Sequence, residues 1–248
     1  MKNKFLMLLA LLTSLSAEVF IYGPGGPAPV LKKLAQEFNA TSLEPVVVIA
    51  GPLSAWKDEA QKNADMIYSG NSAMMDSFLT LFGDKLSFSA IQVLNIREAG
   101  IIVRPGNPKK INHFKTLLKS DLKIMVVNGA GQVGLYEDMA LKYGKRSNLV
   151  ELRKNIQVIA ENSKEALELW QNDPSIDAII IWKHWATVLG SQEAEFVQVG
   201  KTNVMYRACE IAITNDSTKK EIAQKFLDFI QSKEAQKVWV EEGWIANP

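Results

Sequence analysis

The sequence predicts an α/β protein made of two lobes, each built around a parallel sheet, and three observations support this prediction. Short apolar runs typical of strands alternate with amphipathic helices, and glycine-containing turns join them. The alternation falls into two series, at about 19–94 and 101–199. The remaining tail is too short for a third domain, so we expect it to return to the first lobe. Two strands then cross between the lobes, near 93–99 and 200–209.

The first unit, residues 20–38, reads FIYGPGGPAPVLKKLAQEF. A short apolar strand leads into a reversal at Gly23, Gly25 and Gly26, and an apolar stripe then indicates a helix that starts near Pro29. Backbone N–H groups at the start of a helix carry roughly half a positive charge, which suits an anion. A tight connection without a ligand explains these residues equally well, but the repetition of the pattern along the chain favours an anion site.

The same pattern recurs along the chain. We predict strands at 45–50, 64–68, 95–103, 122–128, 156–160, 177–182, 196–199 and 204–213. We predict helices from the turn at 51–56 through 61, at 73–82, 113–118, from the glycine run at 129–134 through 143, and at 148–155, 164–172, 219–231 and 234–241. The loops that follow parallel strands gather at one edge of a sheet, where ligands bind.

Residues 1–17 are typical of a signal peptide. Lys2 and Lys4 flank the start, an unbroken apolar run follows at 5–12, and small, mostly polar residues lead to a cleavage site that we place after Ala17. The mature chain is therefore expected to be exported. Its roughly 231 residues suffice for a hydrophobic core, which it needs because Cys209, its sole cysteine, cannot form an internal disulfide.

Charge and residue spacing argue against several partners. Without Lys2 and Lys4 the 28 basic residues fall to 26, against 27 acidic ones, so the mature charge is close to −1 and predicts no binding of nucleic acid. His113, His184 and Cys209 lack the spacing of metal ligands, and no metal or cofactor is expected. His184 stands between two tryptophans in sequence and is expected to be packed or on the surface.

The layout resembles the periplasmic substrate-binding proteins of ABC importers, of the two-lobed type that includes molybdate and sulfate binders. The resemblance covers essentially the whole mature chain and rests on the segments GPGGP, GPLSAW, NADMIYSGN, IIVRPGNP, VVNGAGQVGLYEDM, SIDAIIIW and AQKFLDFIQSKEAQKVWVEEGW. Within that group, the GPGGP start, the RKNI segment, the Asn162–Ser163 pair and the final Gly-Trp-Ile look most like the accessory colonisation factor C branch.

The resemblance implies a type II periplasmic-binding-protein fold, with lobe I at 18–95 and 204–248 and lobe II at 96–203. It also implies a small anion held between the lobes by N–H and hydroxyl donors. The residues carried over from it are Gly25, Gly26, Ser54, Ala55 and Ser69 in lobe I, and Ala130, Gly131, Gln132 and Trp182 in lobe II. The first loop departs from the molybdate binders because it has glycines and prolines where they present serines, which puts molybdate in doubt.

Three further side chains leave alternatives open. Arg97 and Arg207 lie on the two predicted crossings, where two guanidinium groups would suit a carboxylate ligand. They could instead form hinge salt bridges with Glu98 and Glu210. Trp56 could stack on an organic ligand or pack on its own lobe.

The predicted function is therefore a periplasmic, monomeric solute-binding protein that delivers a small anion to an ABC permease in the inner membrane, without being an enzyme. An accessory role in chemoreception or colonisation would use the same cleft, so it stays open. Gly129, Gly131 and Gly134 also match the dinucleotide motif GxGxxG, which raises an NAD-dependent enzyme. We reject that reading because the acid expected about 20 residues on is missing, Glu161 being 27 residues beyond Gly134.

Overall fold

The structure, a computed structural model, describes residues 18–129, 131–142 and 144–246, so the predicted signal peptide and Ala130 lie outside the described residues. The strands are Val19–Gly23 (β1), Val46–Ala50 (β2), Met66–Ser69 (β3), Gln92–Val103 (β4), Ile124–Val127 (β5), Ile156–Ala160 (β6), Ala178–Trp182 (β7), Glu195–Val197 (β8) and Met205–Ile213 (β9). The helices are Ala28–Asn39 (α1), Lys57–Asn63 (α2), Ser72–Phe82 (α3), Leu135–Leu141 (α4), Arg146–Asn155 (α5), Ser163–Asn172 (α6), His184–Leu189 (α7), Lys220–Ile230 (α8) and Lys233–Glu241 (α9).

The strands form one continuous mixed sheet in the order β2-β1-β3-β9-β4-β7-β5-β6, with β8 paired to β4. Strands β1, β2 and β3 are parallel to one another, and so are β5, β6 and β7. The two long strands β4 and β9 are antiparallel to each other and to their other neighbours. We use lobe I for the part around β1–β3 and lobe II for the part around β5–β7; their exact boundaries stay a prediction.

Strand β4 belongs to both lobes. Its first residues pair with β9, and its last five, Ala99–Val103, pair with β7. Arg97 lies directly opposite Arg207 in the register of β4 and β9, just before the sheet passes into lobe II. The crossing strands therefore place Arg97 at the junction of the lobes.

Three clusters of buried apolar side chains form the core. One lies in lobe II, around β5 and β7, and includes Trp170 and Trp182. The other two cover opposite faces of the lobe I strands: one includes Leu34 and Phe226, and the other includes Trp56. Both faces of each parallel sheet are thus covered, which explains why the strands read as continuous apolar runs.

The two C-terminal helices pack on α1. Phe38 at the end of α1 contacts Phe226 and Phe229 on α8, with ring centroids 5.3 and 5.6 Å apart. Lys33 on α1 forms an ion pair of 3.1 Å with Glu242, just after α9. The N-terminal and C-terminal parts of the chain therefore share one hydrophobic cluster. None of the helices in the described ranges is long and apolar enough to cross a membrane.

Three local details differ from the predictions. The turn after β2 contains a short 3₁₀ segment, Leu53–Ala55, and α2 ends at Asn63, two residues beyond the predicted end. Helix α7 was not predicted, because a six-residue helix offers too few turns for an apolar stripe to show. The sheet is mixed and not purely parallel, because β4 and β9, at the junction of the lobes, are antiparallel to their neighbours.

Asp65, just before β3, ties the two ends of the chain together. Its buried carboxylate accepts hydrogen bonds from the Phe20 backbone N–H at 2.9 Å and the Ser217 hydroxyl at 2.7 Å. The Lys219 ammonium lies 3.2 Å from the same carboxylate. Loss of this group would leave a buried N–H unpaired.

We expect Asp65→Ala to lower the free energy of unfolding by about 2–4 kcal/mol, because it removes bonds to a buried charge. Urea unfolding followed by circular dichroism measures the change. Asp228→Ala is the matched control, since Asp228 is exposed on α8 and should change stability by no more than about 0.5 kcal/mol. Equal effects for the two variants would contradict the role of Asp65.

Candidate functional site

A cleft of about 1060 Å³ opens between the lobes. Lobe I contributes the loop after β1, the turn after β2 and Gly70 after β3, and lobe II contributes the loop after β6 and the start of α6. These segments follow the carboxyl ends of parallel strands, which is where α/β proteins bind ligands.

Arg97 lies at the floor of this cleft and is only 2% exposed. One guanidinium nitrogen, Nη2, donates to the carbonyl of Gly70, and Nε has no partner among the described residues. The guanidinium carbon lies 4.2 Å from the ring centroid of Trp182 and 5.8 Å from that of Trp244. No carboxylate in the described ranges forms an ion pair with it.

Burial lowers the pKa of Arg97 to about 9. Cys209 raises this pKa and Arg207 lowers it, each by less than burial does. The guanidinium is therefore still charged at neutral pH. A buried charge without a counterion is costly, and an anion in the cleft would compensate it. Arginine can bind a carboxylate or phosphate through two parallel hydrogen bonds.

Three glycines allow the loops to approach this guanidinium. A Cβ atom at Gly26 or Gly70 would lie 2.9 Å from one of its nitrogens, and one at Gly131 would lie 3.1 Å away. Gly131 also has a φ of +83°, which favours glycine. Since Gly131 belongs to lobe II and Gly26 and Gly70 to lobe I, loops of both lobes meet at Arg97.

Most of the residues predicted for the site lie near this point. Gly25, Gly26, Trp56 and Arg97 line the cleft. Ser69 and Gln132 are buried, and Trp182 lies under the guanidinium of Arg97. Ala130 lies outside the described residues.

Gln132 connects two loops of lobe II. Its Nε2 donates to the Ser163 hydroxyl at 2.8 Å, while its Oε1 has no partner among the described residues. Ser163 begins α6 and lines the cleft, and the preceding Asn162 caps this helix by accepting from the Glu165 backbone N–H at 3.0 Å. The N-terminus of α6 therefore lies at the lobe II wall of the cleft.

Three predicted residues lie elsewhere. Ser54 and Ala55 are exposed in the 3₁₀ turn and do not line the cleft, because the chain turns outward before α2 begins. Arg207 does not line it either, since its guanidinium lies 3.6 Å from the carboxylate of Asp138 on α4 and donates to the carbonyl of Tyr206.

The alternative of hinge salt bridges is wrong for this structure. Arg97 is held by the Gly70 carbonyl and Arg207 lies near Asp138, so neither pairs with Glu98 or Glu210. Burial raises the pKa of both glutamates.

Trp56 packs on its own lobe, which is one of the two alternatives that the sequence left open. Its ring stacks on Phe82 with centroids 6.2 Å apart, meets Phe78 edge to face at 5.6 Å, and donates from Nε1 to the Gly51 carbonyl. It is therefore packed into lobe I, yet part of it lines the cleft. A rigid aromatic wall of this kind can contact an organic ligand without being rearranged.

His184, which the sequence predicted to be packed or on the surface, is packed beside Arg97 and was not among the predicted site residues. It is 1% exposed, with its ring stacked on Trp244 at 5.0 Å and close to Trp185 at 4.8 Å. Neither ring nitrogen has a partner among the described residues. Burial, and secondarily the charge of Arg97, hold its pKa well below the usual range. Its position directly after β7 was the available signal, because loops after parallel strands form the ligand edge.

The described residues contain no group of three His, Cys, Asp or Glu side chains that could hold a metal ion. The cleft mouth carries charges of both signs, with Lys32 from lobe I and Lys164 and Glu165 from lobe II among its lining residues. The positive charge that is buried within it is that of Arg97. The arrangement therefore suits the binding of an anion.

Comparison with known proteins gives a family and a fold. Residues 19–245 match the family described as bacterial extracellular solute-binding protein. The crystal structure of Peb3 from Campylobacter jejuni is 30% identical, has a TM-score of 0.83, and the match covers 92% of this chain and 100% of that one. A PEB3 structure with bound L-phospholactate has the same identity and coverage and a TM-score of 0.84. No curated protein matches the chain.

More distant structures share the fold alone. The sulfate-binding protein SubI from Mycobacterium tuberculosis is 17% identical with a TM-score of 0.72, and the match covers 92% of this chain and 86% of that one. The substrate-binding domain assigned to a molybdenum ABC transporter from Clostridium difficile is 15% identical with a TM-score of 0.72, over 94% and 100% of the two chains. The predicted type II periplasmic-binding-protein fold is thereby confirmed.

The buried Arg97 and the half-buried Arg104 should respond oppositely to removal. Without ligand, Arg97→Met should leave the free energy of unfolding unchanged or raise it by on the order of 1 kcal/mol, because it removes a buried unpaired charge. Arg104→Met should lower it by about 1.5–3 kcal/mol, since Arg104 donates to the carbonyls of Trp170, Asp173 and Ile176 and stacks on the Trp170 ring at 3.5 Å.

Urea unfolding of both variants in a buffer without multivalent anions checks this contrast. If Arg97→Met is destabilised as much as Arg104→Met, the guanidinium of Arg97 is a structural element and not a ligand contact.

Proposed function

Because the chain belongs to the bacterial extracellular solute-binding protein family, we propose that it captures a small organic anion in the cleft between its lobes and delivers it to an ABC importer. The observation that carries this proposal is the buried guanidinium of Arg97, which has no carboxylate partner in the described chain. An anion with at least one carboxylate or phosphate group fits that position.

The size and lining of the cleft favour an organic anion over a bare oxyanion. A volume of about 1060 Å³ is far larger than a sulfate or molybdate needs. Apolar side chains line much of it, including Leu53, Trp56, Met74 and Phe78. An anionic group would bind at Arg97 while the carbon skeleton contacts these side chains.

The relative with 30% identity supports the same class of ligand. PEB3 has been crystallised with L-phospholactate, a small molecule that carries both a carboxylate and a phosphate. The first loop, with Gly25 and Gly26 and no serine, agrees with a ligand other than molybdate. We therefore place small carboxylates, with or without a phosphate, first among the candidates.

Several finer features belong to the same proposal. We propose export to the periplasm with cleavage after Ala17, action as a monomer beside a permease of the inner membrane, and membership of the accessory colonisation factor C branch. We also propose that Gly25, Gly26, Trp56, Arg97 and Gly131 contact the ligand, and that lobe I comprises 18–95 and 204–248.

A titration of the purified protein tests the ligand class. L-Phospholactate, L-malate, L-lactate, sulfate, molybdate and tungstate are added while tryptophan fluorescence is recorded, since Trp182 lies directly under the guanidinium of Arg97. We expect a carboxylate to bind more tightly than the inorganic oxyanions. Tight tungstate or sulfate binding with no carboxylate binding would overturn this assignment.

Substitution of single arginines tests the proposed contact. Arg97→Gln should weaken binding of the carboxylate by about tenfold to a hundredfold, the range for a hydrogen bond to a charged group. Arg207→Ala should change the affinity by no more than a few-fold, because Arg207 lies near Asp138 and outside the cleft lining. Arg153→Ala, at an exposed ion pair with Glu137, serves as the surface control. Unchanged affinity in Arg97→Gln would refute the proposed role of this residue.

A further inference from the structure

His184 does not itself line the cleft, but it lies beside Arg97 and behind the Gly26 loop at the cleft floor. Its Nε2 is 3.9 Å from the position that a Cβ atom would occupy at Gly26, and Nη1 of Arg97 is 2.9 Å from that position. The imidazole and the guanidinium thus both face the Gly26 backbone. The first helical residue of α1, Ala28, follows two positions later.

The imidazole is oriented by its neighbours. The ring of Trp244 stacks on it with an interplanar angle of 21°, and that of Trp185 is tilted by 41°. Gly243 lies so close that a Cβ atom there would be 2.8 Å from the Cα of His184. The ring is therefore held in place by packing, while both its nitrogens stay without a partner among the described residues.

The charges around His184 come from a few groups. Arg97 on β4 is the charge that acts on it. On β9, Cys209 is neutral, because burial raises the pKa of its thiol to about 12. Gly243 and Trp244, the contacts from the C-terminal segment, carry no charge. The preceding residue Lys183 interacts with Glu98 on β4.

These groups decide the protonation state with and without an anion. In the free protein, burial and the adjacent positive charge of Arg97 keep the imidazole neutral. An anion between the two side chains would remove that repulsion and would itself favour the imidazolium. The tryptophan rings on either side also favour a cation through their π faces.

We propose that His184 is a second ligand contact beside Arg97 and that the cleft therefore prefers anions with two negative charges, taking up one proton as they bind. This inference rests on the proposed function and adds the charge of the ligand to it. A singly charged anion is neutralised by Arg97 alone. A second negative group gains its counterion only when the imidazole is protonated.

The proposal fixes the sign of the pH dependence. His184 is neutral in the free protein and protonated in the complex, so lower pH favours the complex. The affinity for a doubly charged anion should rise as the pH falls, by up to tenfold per pH unit where one proton is taken up. The affinity for a singly charged anion should stay nearly constant.

Nuclear magnetic resonance of the histidine side chains gives the direct test, because the chain has two histidines, His113 and His184. A His113→Gln variant assigns the signals. On addition of L-phospholactate or L-malate at pH 7, the His184 ring should change from its neutral to its protonated chemical shifts. L-Lactate should produce no such change. A His184 ring that stays neutral in a saturated complex with L-phospholactate or L-malate would overturn the proposal.

Calorimetry gives an independent readout. Binding of L-malate is measured in two buffers of different ionisation enthalpy, for the wild type and for His184→Gln. Both carboxyl groups of L-malate are already ionised near neutral pH, so the difference in proton uptake reports on His184. We expect the variant to take up close to one proton fewer and to bind about tenfold more weakly at pH 6. L-Lactate affinity should change by no more than about twofold.

The outcomes separate this inference from the proposed function. If dianions bind with equal affinity and equal proton uptake in both proteins, His184 is a packing residue and the anion site at Arg97 stands. If no carboxylate binds to the wild type, the proposed function fails and this inference fails with it. If His184→Gln does not fold, the nuclear magnetic resonance titration of the wild type still decides.

Discussion

The burial of one positive charge at the junction of two crossing strands is the constraint on which the rest of the molecule depends. Arg97 is nearly inaccessible, yet its surroundings provide a backbone carbonyl and aromatic faces in place of a carboxylate. Such a group is costly in a protein interior unless a partner arrives from outside. The glycine loops of both lobes lie close around the guanidinium. A bound anionic solute would therefore supply the negative charge that the described chain does not itself place there.

The continuity of the sheet explains how this charge is held so firmly. Strand β4 pairs with β9 along its first part and with β7 along its last part, so Arg97 stands in a backbone that both lobes share. A movement of one lobe relative to the other would change the glycine loops around Arg97 more than Arg97 itself. The cleft can therefore open at its walls while its floor keeps its geometry.

Local patterns in the sequence predicted most strand and helix units and part of the floor of the cleft, and the family resemblance supplied the type II fold. Apolar runs, glycine turns and helical stripes identified the strand and helix units, and Arg97 was named because it lies on a predicted crossing. The burial of His184 could not be recognised in this way, because it depends on Trp244, sixty residues away in sequence. Arg207 has the same local pattern as Arg97, but Asp138, on a helix of the other lobe, determines where it points. Long-range contacts of this kind have no local signature.

The pairing of β3 with β9 has a consequence for the order in which the chain folds. The core around β5–β7 uses one uninterrupted segment of about 100 residues, whereas the sheet of lobe I needs a strand that ends at Ile213 and helices that come after it. During synthesis, lobe II can thus complete its core first. Until β9, α8 and α9 are made, one apolar face of β1–β3 stays uncovered. The half of the protein that is made first is therefore the half that is completed last.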